Sequence, residues 1–192
     1  CILFIGTTYF INALCLVLGP VALLVILFYS YTKRFTPLCH LVLGLGLSLA
    51  PVGAYIAVTG KFAIVPVLFS FAVLCWVSGF DIIYALQDEE FDRINNLRSI
   101  PSMLGIKKAL YISEYLHFLS FASIFTAGIW GHFSWFYWVG AAIFAYFLVY
   151  QHTLVKPKDL SRVNRAFFTS NGIASVIFSV FVLVDIFYKF PL

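Results

Sequence analysis

The sequence predicts an all-α fold, a polytopic bundle of transmembrane helices, and three observations predict it. Of the 192 residues, 62% are hydrophobic and 10% are charged, and the mean hydropathy is +1.00. Soluble domains contain roughly 45–50% apolar and about 25% charged residues, so a water-soluble globular protein is excluded. Apolar runs as long as a bilayer-crossing helix recur along the chain, and basic residues fall in the gaps between them.

The apolar runs define the elements in order. Residues 1–11 form a partial span, and Asn12 opens a turn before the first complete one. Pro20, Pro51 and Pro66 lie inside spans or near their starts, where a proline kinks a membrane helix without breaking it. We expect residues 1–192 to form a single transmembrane domain truncated at its N-terminus, because the chain begins without Met and within an apolar run. Six complete spans are predicted at 13–32, 38–58, 63–87, 107–129, 133–153 and 164–188.

The placement of basic residues predicts the orientation. Strict alternation of the spans puts ten of the twelve Lys and Arg residues on one side and leaves Lys61 and Lys189 on the other. This positive-inside bias predicts an integral, multi-pass protein, of the bacterial inner membrane, with the ten bases in the cytoplasm. A nucleic-acid partner is excluded, since the bases form no clustered face, and the bilayer is the expected partner. The ten are Lys33, Arg34, Arg93, Arg98, Lys107, Lys108, Lys156, Lys158, Arg162 and Arg165.

Five of the eight acids lie between positions 81 and 92, at the end of the third complete span. If one helix continues through this window, Asp88 and Asp92 lie within about 20° of Asp81, so the three carboxylates share a face. Like charges on one stripe repel each other, and a hard cation such as Mg²⁺, which prefers oxygen ligands, would neutralise them. Asp81 lies within the apolar span and is a functional candidate for that reason. Glu89 and Glu90 fit a solvated helix end.

Several bases lie near this acidic stripe on the same predicted side. Proteins hold a diphosphate with acidic side chains that bind a metal ion and with basic side chains placed beside them. Each base alone is more often a determinant of topology. The candidates are Lys33, Arg34, Arg93, Arg98, Lys107 and Lys108.

Three segments resemble those of a known family. Residues 81–92, continued by 97–101 and Gly105, resemble the second aspartate-rich motif of the UbiA-type intramembrane aromatic prenyltransferases. Residues 29–36 resemble their basic loop, and residues 160–172 resemble the start of their last helix. The resemblance implies a bundle of nine spans in which two aspartate-rich motifs face each other across a cavity and hold Mg²⁺ on a polyprenyl diphosphate. The first motif, of the form Asn-x-x-x-Asp-x-x-x-Asp, is absent, so we expect a C-terminal portion incapable of turnover alone.

Carried over by position, the resemblance implies roles for seven residues. Asp88 and Asp92 would be magnesium ligands, Asp81 and Tyr84 would support catalysis, and Arg34, Lys33 and Arg98 would contact the diphosphate.

Two asparagines are candidates on spacing alone. Asn164 and Asn171 are seven apart and so share a face of the last span, where they either orient the aromatic acceptor or bond to a neighbouring helix.

The function implied is magnesium-dependent transfer of a polyprenyl group from polyprenyl diphosphate to an aromatic acid such as 4-hydroxybenzoate, in ubiquinone or menaquinone biosynthesis. The Phe- and Tyr-rich interior is expected to shield a carbocation. Two alternatives stay open. One is a hydroxynaphthoate acceptor on a menaquinone route, and the other is a cation-coupled transporter in which Asp81 carries the ion.

Five further polar residues are interpreted as structural. Glu114 and His117, one helical turn apart, are predicted to form a packing or headgroup-level pair. His40 and His152 lie close to span ends, where interfacial histidines are common. Asp185, close to the opposite interface, is predicted to be structural as well.

Overall fold

The structure is a computed structural model that describes residues 1–189, and it consists of α-helices joined by short turns. Residues 1–189 contain no β-strand, only an isolated bridge between Lys156 and Asp159. The all-α fold class is therefore confirmed. The helices are α1 (Ile2–Ile11), α2 (Ala13–Thr32), α3 (Cys39–Thr59), α4 (Ile64–Ala85), α5 (Glu89–Ile94), α6 (Ile100–Leu104), α7 (Ile106–Trp130), α8 (Trp135–Leu154) and α9 (Asn171–Lys189).

The long helices follow the predicted spans closely, because the length of an apolar run fixes where a membrane helix ends. Five helical segments among the described residues are long and apolar enough to cross a membrane. The segment containing α8 is not one of them, although α8 has 20 residues. Its Trp, Tyr, Gln and His side chains lower its mean hydropathy. Residues 1–189 thus contain five helical segments that meet both criteria of length and apolarity, where the sequence predicted six complete spans.

Asn12 begins α2 as a helix cap. Its side chain accepts a hydrogen bond from the Cys15 N–H at 2.9 Å and donates to the carbonyl of Ile56 at 2.9 Å. The predicted turn at Asn12 is thus present, and the same side chain joins α2 to the end of α3. Gly60 ends α3 with a φ of 64°, a left-handed conformation that glycine adopts without strain.

α4 lies at the centre of the bundle, packed between α3 and α7. Two groups of buried apolar side chains surround it. One encloses its C-terminal end, around Ile82, Ile83 and Leu86. The other encloses its middle, around Ala72 together with Tyr137 and Phe144 of α8 and Ala174 of α9.

Serine side chains of α7 donate hydrogen bonds to backbone carbonyls of α4. Ser113 donates to Gly79, Ser120 to Ala72 and Ser123 to Leu68, at 2.7, 2.9 and 2.8 Å. Small hydroxylated residues let two membrane helices approach closely and bond across the contact. The ladder fixes the axial register of α4, on which the candidate site depends.

The turn between α8 and α9 is polar and exposed. The Ser161 hydroxyl and N–H donate to Asp159 Oδ1 at 2.6 and 3.0 Å. These bonds favour the carboxylate and lower the pKa of Asp159.

Candidate functional site

The acidic window does not continue α4 as a regular helix. α4 ends at Ala85, Leu86–Asp88 form a 3₁₀ turn, and α5 begins at Glu89. A 3₁₀ turn winds about 120° per residue instead of about 100°, so the segment beyond it is rotated. Asp88 is exposed whereas Asp92 is buried. The prediction that Asp81, Asp88 and Asp92 share one face is therefore wrong, because it assumed an unbroken helix.

Asp92 lies in a buried ion pair with Lys33 of the basic loop. Lys33 Nζ is 2.8 Å from Asp92 Oδ1, and the Asp92 side chain is fully buried while that of Lys33 is 34% exposed. The Ser99 hydroxyl donates to Asp92 Oδ2 at 2.8 Å. Ser99 also caps α6 through a capping box with Ser102. The basic loop and the acidic motif, 59 positions apart in sequence, thus meet through Lys33 and Asp92.

Arg98 reinforces the same contact. Its backbone N–H donates to the Lys33 carbonyl at 2.7 Å, and its guanidinium donates to the Phe35 carbonyl at 3.0 Å. Arg34 remains exposed, with its guanidinium 5.7 Å from the centre of the Tyr31 ring. All three predicted diphosphate residues therefore lie in, or are bonded to, one loop, and Arg34 and Arg98 are the exposed ones.

Asp81 lies one helical turn before the end of α4 and faces α3. Its Oδ2 is 2.7 Å from His40 Nδ1. His40 is 2% exposed, so the interpretation of His40 as an ordinary interfacial histidine is wrong. Nothing in the local sequence could have found this pair, since its members are 41 residues apart and belong to two helices.

Tyr84 begins a row of aromatic rings that follows α4 into the bundle. Its ring centre is 4.3 Å from that of Phe167, and the row continues through Phe80 and Trp76 to Phe144 at separations of 5.3–5.4 Å. Edge and tilted contacts of this kind are the favoured aromatic geometry.

The aromatic row leads to a cavity of about 740 Å³ between α3, α4, α7, α8 and α9. Trp76, Phe144 and Phe178 line it, and its remaining walls are almost entirely apolar. The cavity lies along the N-terminal half of α4, away from the basic loop, and is partly open to the surface beside the exposed side chains of Leu183 and Ile186. It can accommodate an extended hydrocarbon chain.

The two asparagines of the last span lie at the ends of a π-helical turn, Arg165–Ser170. Asn171 is buried, accepts a hydrogen bond from the Trp76 indole N–H at 2.9 Å and donates to the Phe167 carbonyl at 2.8 Å. Asn164 is exposed, and the Gln87 amide lies 3.5 Å from its side-chain oxygen. Because a π turn winds less per residue than an α turn, the seven-residue spacing does not give the single face predicted from an ideal helix. Both side chains instead contact α4 and its extension.

Buried His117 pairs with half-buried His152, a contact that the sequence did not predict. His117 Nδ1 is 2.7 Å from His152 Nε2, and His117 Nε2 is 3.2 Å from the Trp76 carbonyl. Glu114 does not bond to His117. It lines a separate cavity of about 480 Å³ with both histidines, so the predicted Glu114–His117 pair is replaced by a pairing across α7 and α8.

The residues 1–189 include no cluster of three or more His, Cys, Asp or Glu side chains able to hold a metal ion. Asp88 offers an exposed carboxylate, and Asp92 is already satisfied by Lys33 and Ser99. Mg²⁺ usually takes one or two protein carboxylates and completes its shell with water and substrate phosphates. The donor chemistry of Asp88 fits that pattern. Of the two Asp92 oxygens, Oδ2 is bonded to Ser99, and Oδ1 accepts no hydrogen bond but is ion-paired with Lys33.

The structure is a bundle of apolar helices in which a basic loop pairs with an acidic motif at one end of α4 and an apolar cavity lies further along that helix. The family comparison identifies the class to which such a protein belongs. The model of the UbiA prenyltransferase family matches residues 1–173. The chain belongs to this family.

Curated relatives are named for a specific activity. The chain is 30% identical over 181 residues to a 4-hydroxybenzoate octaprenyltransferase of Francisella tularensis subsp. tularensis, covering 94% of this chain and 62% of the relative. It is 29% identical over 179 residues to the enzyme of that name from Aeromonas salmonicida, covering 90% and 59%. The chain thus spans about three fifths of the length of these relatives.

A solved structure has the same fold. The apo structure of a UbiA homolog from Aeropyrum pernix K1 superposes with a TM-score of 0.84 at 30% sequence identity, covering 95% of this chain and 68% of that one.

Proposed function

We propose that this chain forms part of an enzyme that transfers a polyprenyl group from polyprenyl diphosphate to an aromatic acceptor. The observation that carries the proposal is the meeting of the basic loop and the acidic motif through Lys33 and Asp92. It lies beyond the same end of α4 at which Tyr84 begins the row of aromatic rings that leads to the apolar cavity. Family membership supports the same reaction class. The activity proposed is that of the complete natural protein.

The proposed acceptor is a 4-hydroxybenzoate-like acid, and the proposed pathway is quinone biosynthesis. The acceptor is supported by the name 4-hydroxybenzoate octaprenyltransferase, which the relatives from Francisella and Aeromonas share. A hydroxynaphthoate on a menaquinone route is the second acceptor to be assayed. We further propose that Asn164 and Asn171 border the acceptor pocket, since Asn171 bonds to Trp76 at the cavity wall.

The diphosphate is proposed to lie between the basic loop and the acidic motif. Arg34, exposed beside it, would contact the anion first. The Lys33 ammonium can pass from Asp92 to the diphosphate, and that exchange would free Asp92 as a ligand. Mg²⁺, if held by Asp88 and Asp92, would neutralise negative charge on the departing diphosphate.

The chain's own residues have distinct proposed roles. As the allylic C–O bond breaks, its electron pair leaves with the diphosphate, and Arg34, Lys33 and Arg98 hold that anion. The aromatic row from Tyr84 to Trp76 excludes water from the allylic cation and faces it with ring π-systems. A ring carbon of the acceptor forms the new C–C bond and loses its proton. Asp81 is proposed to accept that proton.

The test is magnesium-dependent prenyl transfer by the protein expressed from its complete natural reading frame. We expect the prenylated acid and diphosphate to form together. Asp88→Asn should lower the rate about a hundredfold, since a lost metal contact costs several kcal/mol. The matched control Glu90→Gln changes an exposed acid two positions away and should stay within about twofold, because surface acids away from a site contribute little.

Three outcomes would contradict the proposal. The first is prenyl transfer that proceeds equally in excess EDTA, and the second is an Asp88→Asn variant as active as its parent. The third is transport of a cation by reconstituted protein with no release of diphosphate, which would instead support the transporter hypothesis.

A further inference from the structure

We infer that His40 is a positioning residue for Asp81, which it holds through a hydrogen bond from Nδ1 so that one carboxylate oxygen stays available to the substrate. The inference rests on the proposed function, in which Asp81 accepts a proton. It concerns a contact between α3 and α4 that joins His40, at the start of α3, to the end of the central helix.

The partners of the imidazole place a proton on Nδ1. Nδ1 faces Asp81 Oδ2 at 2.7 Å, and an ionised carboxylate can only accept. Nε2 faces the Ile100 backbone N–H at 3.4 Å, and an amide N–H can only donate. A proton on Nδ1 satisfies the shorter of the two contacts. His40 therefore acts as a donor to Asp81, while its other ring nitrogen faces the first residue of α6.

The ring is held in place before any substrate binds. His40 is 2% exposed, and the Ser78 hydroxyl contacts its backbone carbonyl at 3.1 Å. Gly44, one turn further along α3, lets α3 approach the backbone of α4 at Leu74. A donor fixed by packing loses little freedom when it acts, and such preorganisation is what keeps a catalytic group in its productive geometry.

Asp81 has one oxygen committed and one remaining. Oδ2 bonds to His40, and no residue of the described part of the chain bonds to Oδ1. The Asp81 side chain keeps 17% of its surface exposed. An ionisable side chain within a membrane helix is costly unless it has a partner, and His40 is that partner. The arrangement leaves an accepting oxygen at the end of α4, within a turn of Tyr84.

Three substitutions at His40 distinguish a role in positioning Asp81 from a purely structural contact between α3 and α4. Asn places its amide NH₂ near the position of Nδ1 and keeps the donor to Asp81. Gln reaches toward the position of Nε2 and does not keep that donor. Phe keeps the ring volume and removes both nitrogens. The measurements are kcat and KM for each substrate in the complete natural protein, with thermal unfolding in detergent to establish that each variant is folded.

We expect His40→Phe and His40→Gln to lower kcat on the order of tenfold to a hundredfold, the cost typical of losing the partner that orients a functional group. KM for polyprenyl diphosphate should change less than about twofold, because binding is assigned to the basic loop. His40→Asn should recover most of kcat. In an Asp81→Asn background, His40→Phe should have no further effect, as expected for two residues that act as one unit.

The results distinguish the failure of this inference from that of the proposed function. If the parent protein transfers no prenyl group, both fail. If the parent is active and Asp81→Asn lowers kcat while His40→Phe does not, the inference alone is overturned. It is also overturned if Asn, Gln and Phe lose activity equally and in proportion to lost thermal stability, since His40 would then only join two helices.

Discussion

Asp92 and Asp185 are completely buried acids that occupy opposite ends of the bundle. Asp92 is held by an ion pair with Lys33. Asp185 is held by the start of α8, where it accepts hydrogen bonds from the Ser134 hydroxyl, the Ser134 N–H at 3.1 Å and the Tyr137 N–H at 3.0 Å. A carboxylate at a helix N-terminus satisfies N–H groups that have no partner within the helix. Asp185 therefore caps α8 from α9, as its predicted structural role requires.

We predict that Asp185→Ala lowers the free energy of unfolding by about 1–2 kcal/mol, the upper range for loss of a helix cap. Two backbone N–H groups and one hydroxyl would lose their acceptor in a buried place. The measurement is thermal or denaturant unfolding in detergent. Glu90→Ala is the control, since Glu90 is exposed and no other described side chain bonds to it. Equal stability of the two variants would show that Asp185 does not hold α8.

The sequence identified important residues more readily than the residues that they contact. An acidic residue within an apolar run is rare unless it has a function or caps a helix, so Asp81 and Asp185 could be singled out. The partner of Asp81 could not, because His40 is brought to it by the packing of α3 on α4. Lys33 was assigned to an anion, and its buried contact with Asp92 depends on the fold of the segment from Glu89 to Ser99.

At the scale of helices, close approach to α4 depends on small residues. Ser113, Ser120 and Ser123 bond to its carbonyls from α7. From α3, Gly44 faces Leu74 and Ser78, and a Cβ placed at Gly44 would lie 2.5 Å from the Leu74 carbonyl oxygen. Without a hydrophobic force between helices in lipid, such packing and bonding hold them together.

Two glycines of α3 provide a matched pair for testing this contact. We predict that Gly44→Ala destabilises the protein by about 1–3 kcal/mol, as overpacking does. Gly53→Ala should be neutral or stabilising by about 0.5–1 kcal/mol, because a Cβ there meets nothing within 4 Å and alanine favours the helix. Unfolding in detergent measures both. Equal effects would mean that α3 and α4 can separate without cost at Gly44.

The ends of the spans were predictable to within about two residues when the π turn Arg165–Ser170 is counted with α9, since apolar runs of bilayer length set them. The interruptions of those helices were not. The 3₁₀ turn at Leu86–Asp88 and the π turn at Arg165–Ser170 leave the apolar pattern unchanged, yet both alter which residues share a face. The predicted stripe of Asp81, Asp88 and Asp92 failed for this reason, and so did the common face of Asn164 and Asn171.

At the scale of the whole molecule, the two ends of the bundle differ in charge. The basic loop, Asp92 and Arg98 are gathered at the end where α4 finishes. At the opposite end Lys189 donates to the carbonyl of His132 at 2.7 Å, close to the start of α8. Lipid-exposed apolar side chains cover the surface between the ends. A charge difference of this kind sets the orientation of a membrane protein, with the basic end in the cytoplasm.

We predict that the end carrying the acidic motif is cytoplasmic, and cysteine labelling measures it. In a background with Cys1, Cys15, Cys39 and Cys75 replaced by Ala, single cysteines are introduced as Glu90→Cys and Lys61→Cys, at exposed positions on opposite ends. A membrane-impermeant maleimide added to intact bacterial cells should modify the cysteine at 61 and leave that at 90 unmodified. Both should react after lysis, which controls for access. The reverse pattern in intact cells would place the diphosphate site outside and contradict the orientation derived from the basic residues.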